Sequence, residues 1–271
     1  MPGSEELSRY SFYSYNRLYM RKKTGSGKQR VDLLLVERGL AISQEKAQAM
    51  IMAGEVSANG RVIPKPGISI SRDVILELAE PSPFVSRGGI KLDYALKQFV
   101  LDVSGNIAAD IGASTGGFTD CLLKHGVKLV YAIDVGKGQL DWKLRQDNRV
   151  TVMENVNARY PIDLLENVDL VTIDVSFISI EKVIPSAAKV LKQNGYILVL
   201  IKPQFEALKY EVGKGGVIRD PETHAHVLGR FLAWVNENDF RLAGLIASPI
   251  EGASGNREFF MLLVKTAPRS D

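Results

Sequence analysis

A chain of 271 residues, 45% of them hydrophobic, can bury one ordinary core and has room for a second, smaller one. Its 34 Lys+Arg against 31 Asp+Glu leave a formal net charge of +3, so the chain as a whole does not advertise a polyanion partner and only a local patch can serve one. One cysteine, Cys121, excludes an internal disulfide framework and suits a reducing compartment, and no apolar run reaches membrane-spanning length.

Residues 1–29 read as an N-terminal arm outside the folded units. Its basic residues, Arg17, Arg21, Lys22, Lys23 and Lys28, suit either a solvated tail or a grip on RNA. With no secretory apolar segment there, a soluble, cytoplasmic protein is expected. From Val31 the pattern Val-Asp-Leu-Leu-Leu-Val-Glu-Arg-Gly-Leu predicts a helix closed by Gly39. Ser43 is set to cap a second helix with Ala47, Met50 and Ile51 as its apolar stripe, and Asn59-Gly60 is a strong hairpin-turn signal. Pro64-Lys-Pro-Gly67 forbids regular structure, Val74–Leu78 supplies a strand, and Pro81 and Pro83 mark a linker over 81–87.

The helix-helix-hairpin stretch over residues 30–80 resembles the S4-type RNA-binding domain, with its Arg-hydrophobic-Asp opening, Gly-Leu, Ser, Asn-Gly and Lys-Pro-Gly in order. Arg30, Lys46, Arg61 and Lys65, with Arg87 at the end of the linker, are the candidate RNA contacts. Gln44 departs from the pattern, standing where the family has an arginine. A packing or oligomerisation module is the plainer alternative for these residues.

From residue 88 onward strands and helices alternate as a parallel α/β sheet requires. Strands are expected near 106–110, 128–134, 150–153, 169–174, 195–201, 241–249 and 257–265, with a helix from Gly88 to Phe99 ahead of them. Ligands in such sheets sit at the carboxyl ends of the strands.

The loop Asp110-Ile-Gly-Ala-Ser-Thr-Gly-Gly-Phe118 follows the first of these strands and opens a helix. Gly112, Gly116 and Gly117 permit a tight turn and close backbone approach to a ligand, with Ser114 and Phe118 lining it. The spacing fits neither Gly-x-Gly-x-x-Gly nor a Walker loop. A carboxylate at the strand tip repels a pyrophosphate and attracts an ammonium, so Asp110 favours S-adenosylmethionine, which leaves as S-adenosylhomocysteine. Asp134, ending the next strand, is placed to accept from ribose hydroxyls. Asn157 stands where adenine would lie, or is an ordinary turn residue.

Four further polar residues converge on the same edge: Lys91 on the first turn of the leading helix, Asp174 and Lys202 at strand ends, and Glu258 at the start of the last strand, if that strand runs antiparallel. Each alone is more often a solvated element end. Together they suit a ribose 2′-OH, a poor nucleophile that needs a buried lysine to take its proton or stabilise the alkoxide. Lys202 takes that role, Asp174 and Glu258 hold the two lysines and compensate their charge, and Lys91 orients the hydroxyl or supports Lys202. An amine-methylating site typically carries an Asn/Asp-Pro-Pro-aromatic motif where this chain has Asp174-Val-Ser-Phe177. His224 and His226 are expected exposed at a helix start, and the three histidines and one cysteine suggest no metal site.

These residues, with the glycine loop, Asp174-Val-Ser-Phe-Ile-Ser, Ile201-Lys-Pro-Gln-Phe-Glu206 and Gly213-Lys-Gly-Gly-Val-Ile-Arg-Asp220, resemble the TlyA/hemolysin A family. The resemblance implies a Rossmann-like seven-stranded S-adenosylmethionine-dependent methyltransferase sheet, parallel with an antiparallel final strand, over 88–271, preceded by a small α+β S4-type domain. It further implies 2′-O-methylation of ribosomal RNA at cytidine, with ribosomal RNA or a ribosomal subunit as partner. Two other classes compete: an RNA-binding ribosome assembly factor with a degenerate site, and a membrane-active haemolysin supported by the family name and the aromatic-basic arm.

Overall fold

The structure is a computed structural model, and it describes residues 27–52, 54–78, 83–213, 215–252 and 255–266. The expected arm therefore lies outside the described residues except at its end, and so do Pro81, Lys214 and Ser254. The chain divides into two units, Met1–Pro83 and Phe84–Asp271.

The first unit runs β1 (Lys28–Arg30), α1 (Val31–Glu37), α2 (Gln44–Met52), β2 (Val56–Ala58), β3 (Arg61–Val62), β4 (Ser69–Ser71) and β5 (Leu76–Leu78). Val31, Leu34 and Leu35 share one face of α1 and are fully buried. Each contributes about 1.5–3 kcal/mol of transfer free energy. Gly39 follows the helix at φ +70°, a conformation that a Cβ disfavours. The Ser43 hydroxyl accepts from the Lys46 amide at 3.2 Å and so caps α2, whose Ala47 and Ile51 close the small core with Val56, Ile63 and Leu76.

Asn59 at φ +48° and Gly60 at φ +78° form the two-residue turn between β2 and β3, and β5 completes a three-stranded sheet in the order β3-β2-β5. The pairing of β1 with β4 was not foreseen. Lys28 and Gln29 thus belong to this unit rather than to the arm.

The second unit runs α3 (Arg87–Gln98), β6 (Ile107–Ile111), α4 (Gly117–Lys124), β7 (Leu129–Ile133), α5 (Trp142–Arg145), β8 (Val150–Met153), β9 (Val168–Ile173), a 3-10 turn (Ile180–Lys182), α6 (Ile184–Val190), β10 (Leu191–Ile201), α7 (Pro203–Glu206), α8 (Pro221–Glu237), β11 (Phe240–Ala247) and β12 (Phe259–Lys265). Its sheet has the order β11-β12-β10-β9-β6-β7-β8. β12 is antiparallel to both neighbours, and the strands from β10 to β8 are mutually parallel.

The central strands carry near-continuous apolar runs because both faces are covered. On one face Ile111, Ile173, Val199 and Met261 meet α6 and α8; on the other Ala108, Leu170, Leu198 and Phe260 meet α3 and α4. Phe84 is buried in the second layer and the Val85 amide donates to Asp120 at 2.9 Å, so residues 84–87, expected in the linker, belong to this unit.

Sequence order reverses between β6 and β9, which opens the crevice at their carboxyl ends. The register Ile201↔Phe259 between β10 and β12 then places Lys202 and Glu258 at that same edge. His224 corrects an expectation. Desolvation holds its ring below the usual imidazole range, because it is buried edge-on against Phe259 at 5.6 Å, while His226 is exposed. The face of α8 that turns toward the sheet includes position 224, which two histidines read in isolation do not reveal.

Candidate active site

Between β6 and α4 the backbone turns sharply, and two glycines are required by close approach. Gly112, at φ +85°, would put a Cβ 2.4 Å from the Asp174 carbonyl oxygen; Gly116, at φ +94°, would put one 2.2 Å from Leu144 Cδ1. The glycines thus make room first for the protein's own chain, and through it bring the loop against the end of β9. Ser114, exposed at φ +49°, forms the tip. Asp134 fastens that tip: Oδ2 accepts from the Ser114 amide at 2.8 Å and Oδ1 from the Gly136 amide at 2.7 Å. A carboxylate has about four acceptor positions, so two remain for other donors.

Asp110 lies deeper than the sequence suggested. Its carboxylate is wholly inaccessible, with Oδ2 accepting from Thr119 Oγ1 at 2.7 Å and Oδ1 from Thr172 Oγ1 at 3.0 Å. The expectation that Asp110 itself meets an ammonium is revised: it ties β6 to α4 and β9 beneath the loop. Burial, helped by the nearby Asp174 charge, pushes its pKa up to about 6, and the two threonine hydroxyls pull the other way.

Because the folded value exceeds the unfolded one, the native state binds the extra proton between about pH 4 and 6, and stability falls as pH rises through that window. Asp110→Asn is therefore expected to gain stability over the wild type as pH rises from 5 to 8. The difference should grow by about 1–1.5 kcal/mol over that range by denaturant unfolding. A difference that does not grow with pH would contradict this account.

Two lysine-carboxylate pairs meet on the crevice. Lys91 Nζ is 2.5 Å from Glu258 Oε2, both side chains buried. Lys202 donates to Ser176 Oγ at 2.8 Å and has Asp174 Oδ1 at 2.7 Å as a charge contact. Together with Ser86, Gly88, Gly112, Ala113, Ser114, Thr115, Gly117, Phe118 and Ser176, residues Lys91, Asp174 and Lys202 line a polar cleft of about 210 Å³. Phe118 is mainly a core residue, stacked on Phe260 at 6.1 Å, with an edge at the cleft. Asn157 is exposed, and its Oδ1 accepts from the Arg159 amide at 3.1 Å, the pattern of a turn residue.

Sequence reading missed the neighbouring cleft of about 480 Å³, lined by Arg159, Phe177, Ile178, Ser179, Lys182, Gln204 and Phe205. Phe177 is 90% exposed at φ +64°, its ring 4.9 Å from that of Phe205. A bulky residue in the left-handed region is held there by its surroundings. The Asp174-Val-Ser-Phe motif pointed at the place but not at the exposed ring.

Among the described residues one grouping of metal-type ligands occurs, Asp93, Cys121 and His125. None of them lines either cleft. His125 Nε2 meets Asp93 Oδ1 at 2.9 Å, joining α4 to α3, and burial pushes the Cys121 thiol up.

In the first unit Lys46, Arg61 and Lys65 are exposed. Arg30 is exposed too but committed, gripping the fully buried Asp32 with bonds of 3.1 and 2.7 Å. Gln44 and Gln48 each donate to the same carboxylate at 3.0 Å, so the residue that departs from the S4 pattern has an internal partner. These donors, Arg30 foremost, hold the Asp32 carboxyl well below the usual range. Arg87, in the second unit, is exposed and donates to the Glu251 carbonyl at 2.6 Å.

The glycine-loop α/β sheet of the second unit, mostly parallel with an antiparallel end, is that of an FtsJ-like methyltransferase domain. The family model described as FtsJ-like methyltransferase matches residues 84–265, and the S4 domain model matches residues 29–73. The chain is 49% identical over 242 residues to a Bacillus subtilis protein provisionally named rRNA methyltransferase YqxC, covering 88% of this chain and 86% of that one. It is 43% identical over 238 residues to the 16S/23S rRNA (cytidine-2′-O)-methyltransferase TlyA of Mycobacterium tuberculosis, covering 86% and 89%. A solved structure from Streptococcus thermophilus, provisionally named a hemolysin, shares 46% identity with a TM-score of 0.71, covering 90% of this chain and 91% of that one. The chain belongs to the TlyA/hemolysin A family, in which an S4 domain precedes an FtsJ-like methyltransferase domain. No helix among the described residues is long and apolar enough to cross a membrane.

Proposed function

We propose that the protein transfers the methyl group of S-adenosylmethionine to a ribose 2′-OH of ribosomal RNA, at a cytidine of the small- or large-subunit RNA or both, working in the cytoplasm. The observation that carries this reading is the meeting of the Lys91–Glu258 and Lys202–Asp174 pairs beside the glycine loop. The name of the Mycobacterium tuberculosis relative supports the same chemistry.

The donor set suits the cofactor. Asp134 retains acceptor positions for ribose hydroxyls, and the Asp174 carboxylate, with the polar backbone of Gly112 to Gly117, lies along the cleft. S-adenosylmethionine supplies a methyl group already on a good leaving group, so alignment of the acceptor provides much of the acceleration. Lys202 takes the hydroxyl proton as the O–CH3 bond forms and the S–CH3 bond breaks, and Asp174 compensates the ammonium that results. Lys91, fixed by Glu258, orients the hydroxyl. The exposed Phe177 ring, with Arg159 and Lys182 beside it, offers a stacking face and cations to a nucleotide of the substrate. Lys46, Arg61 and Lys65, with Arg30 held ready by Asp32, serve RNA binding in the S4 unit.

Asp134→Ala tests the cofactor side. Calorimetry should show S-adenosylmethionine binding at least about tenfold weaker, the loss of roughly one charge-assisted hydrogen bond. Unchanged affinity would remove Asp134 from the site. An RNA-binding assembly factor would instead bind ribosomal RNA without transferring label to it.

A further inference from the structure

The segment after Lys202 and the loop after Asp174 are joined at three successive places. Lys202 bonds Ser176; Phe205 packs its ring against Phe177; Glu206 reaches the end of the same loop, where Oε2 accepts from Ser179 Oγ at 2.7 Å and Oε1 from the Ile180 amide at 2.9 Å. The first contact belongs to the catalytic pair and the second to the rim of the neighbouring cleft. The third has no part in the chemistry described above, yet it places a half-buried carboxylate beneath the loop.

We infer that Glu206 is a positioning residue: its carboxylate holds the loop after Asp174 against the segment after Lys202, and so fixes the acceptor side of the active site. This rests on the function proposed above.

Three features support the assignment. The loop contains Phe177 in the left-handed region, a conformation costing of order 1–3 kcal/mol that persists only when neighbours enforce it. Glu206 bonds the backbone and side chain of the residues that end the loop, where the chain turns into Ile180–Lys182, so it closes the loop as an N-terminal cap closes a helix. The segment bearing it is one short helix directly following Lys202, anchored from behind by Arg230, which donates to the Glu206 carbonyl at 3.1 Å. A shift of Glu206 therefore moves the loop that carries Ser176 and Phe177 relative to Lys202. Desolvation raises the Glu206 pKa against the pull of its two loop donors, and the nearby Glu181 charge raises it further.

The test uses the full-length chain with S-adenosylmethionine and ribosomal RNA, comparing Glu206→Ala, Glu206→Gln and the wild type. Glu206→Ala should lose on the order of 10²-fold in kcat/KM for RNA, the scale of a misplacement near 1 Å, with cofactor affinity unchanged within about threefold. Glu206→Gln keeps one acceptor oxygen and should recover part of that loss. Hydrogen exchange over residues 175–181 should rise in Glu206→Ala while the sheet strands stay protected.

Unchanged loop protection in Glu206→Ala overturns the inference whatever the activity, as does wild-type RNA kinetics in that variant, or an equal loss of cofactor affinity. If the wild type transfers no methyl group to RNA while loop protection still depends on Glu206, the functional reading fails and the clasp stands.

Discussion

Lys202→Ala is expected to slow methyl transfer by 10²–10⁴-fold, the usual worth of a positioned acid-base group, while S-adenosylmethionine binds within about threefold of wild type. Lys202 leaves β10 at the edge where β9 delivers Asp174, and the two are 2.7 Å apart at the cleft. Its other contact, Ser176, lies in the loop on the acceptor side. The cofactor contacts assigned to Asp134 and to the glycine loop do not involve it, and its partner Asp174 keeps its carboxylate in the variant, so binding and turnover should separate. A variant with wild-type turnover would remove Lys202 from the mechanism. One that lost cofactor affinity and rate in step would make it a binding residue.

Glu258→Ala should be the most damaging change to the fold. It strands the Lys91 ammonium, 8% exposed, without its partner, and breaking a buried pair from one side costs about 3–5 kcal/mol. For a unit of this size that corresponds to a drop in Tm of very roughly 6–20 °C. Activity should fall as well, since Lys91 loses the contact that aims it.

A double variant separates the two effects. Lys91→Met with Glu258→Leu replaces the pair by apolar groups of similar length, so thermal stability should return to within about 1–2 kcal/mol of wild type while methyl transfer stays lost. If the double variant regains activity, the Lys91–Glu258 pair is structural and the acceptor site is smaller than proposed. If it is no more stable than Glu258→Ala, the penalty arises from the cavity around Glu258 rather than from the unpaired charge.

Much of this arrangement was readable from the sequence because it follows from strand order. The alternation of apolar runs with helices places Asp110, Asp134, Asp174 and Lys202 at strand ends, and the guess that the last strand runs antiparallel is enough to bring Glu258 to the same edge. The register Ile201↔Phe259 shows why that guess mattered. A parallel last strand would have carried Glu258 to the opposite edge, leaving Lys91 without its partner.

What the sequence did not reveal depends on contacts between segments far apart in the chain. Asp110 looks like an exposed strand-end acid until Thr119 and Thr172 arrive from α4 and β9 to cover it. Glu206 reads as one more residue of a short motif until Ser179 and Ile180 are seen above it. The β1–β4 pairing is only three residues long, too short for alternation to show. His224 looked solvated because the helix start after Asp220 is polar, whereas its own position faces Phe259.

The Lys91–Asp174–Lys202–Glu258 edge, as proposed, methylates a ribose hydroxyl of ribosomal RNA. The direct measurement is transfer of a labelled methyl group from S-adenosylmethionine to ribosomal RNA or subunits by the purified full-length protein, followed by mapping of 2′-O-methyl positions. The expected result is label on a cytidine 2′-oxygen, lost in Lys202→Ala. Label on a base nitrogen or carbon, or RNA binding with no transfer at all, would contradict it.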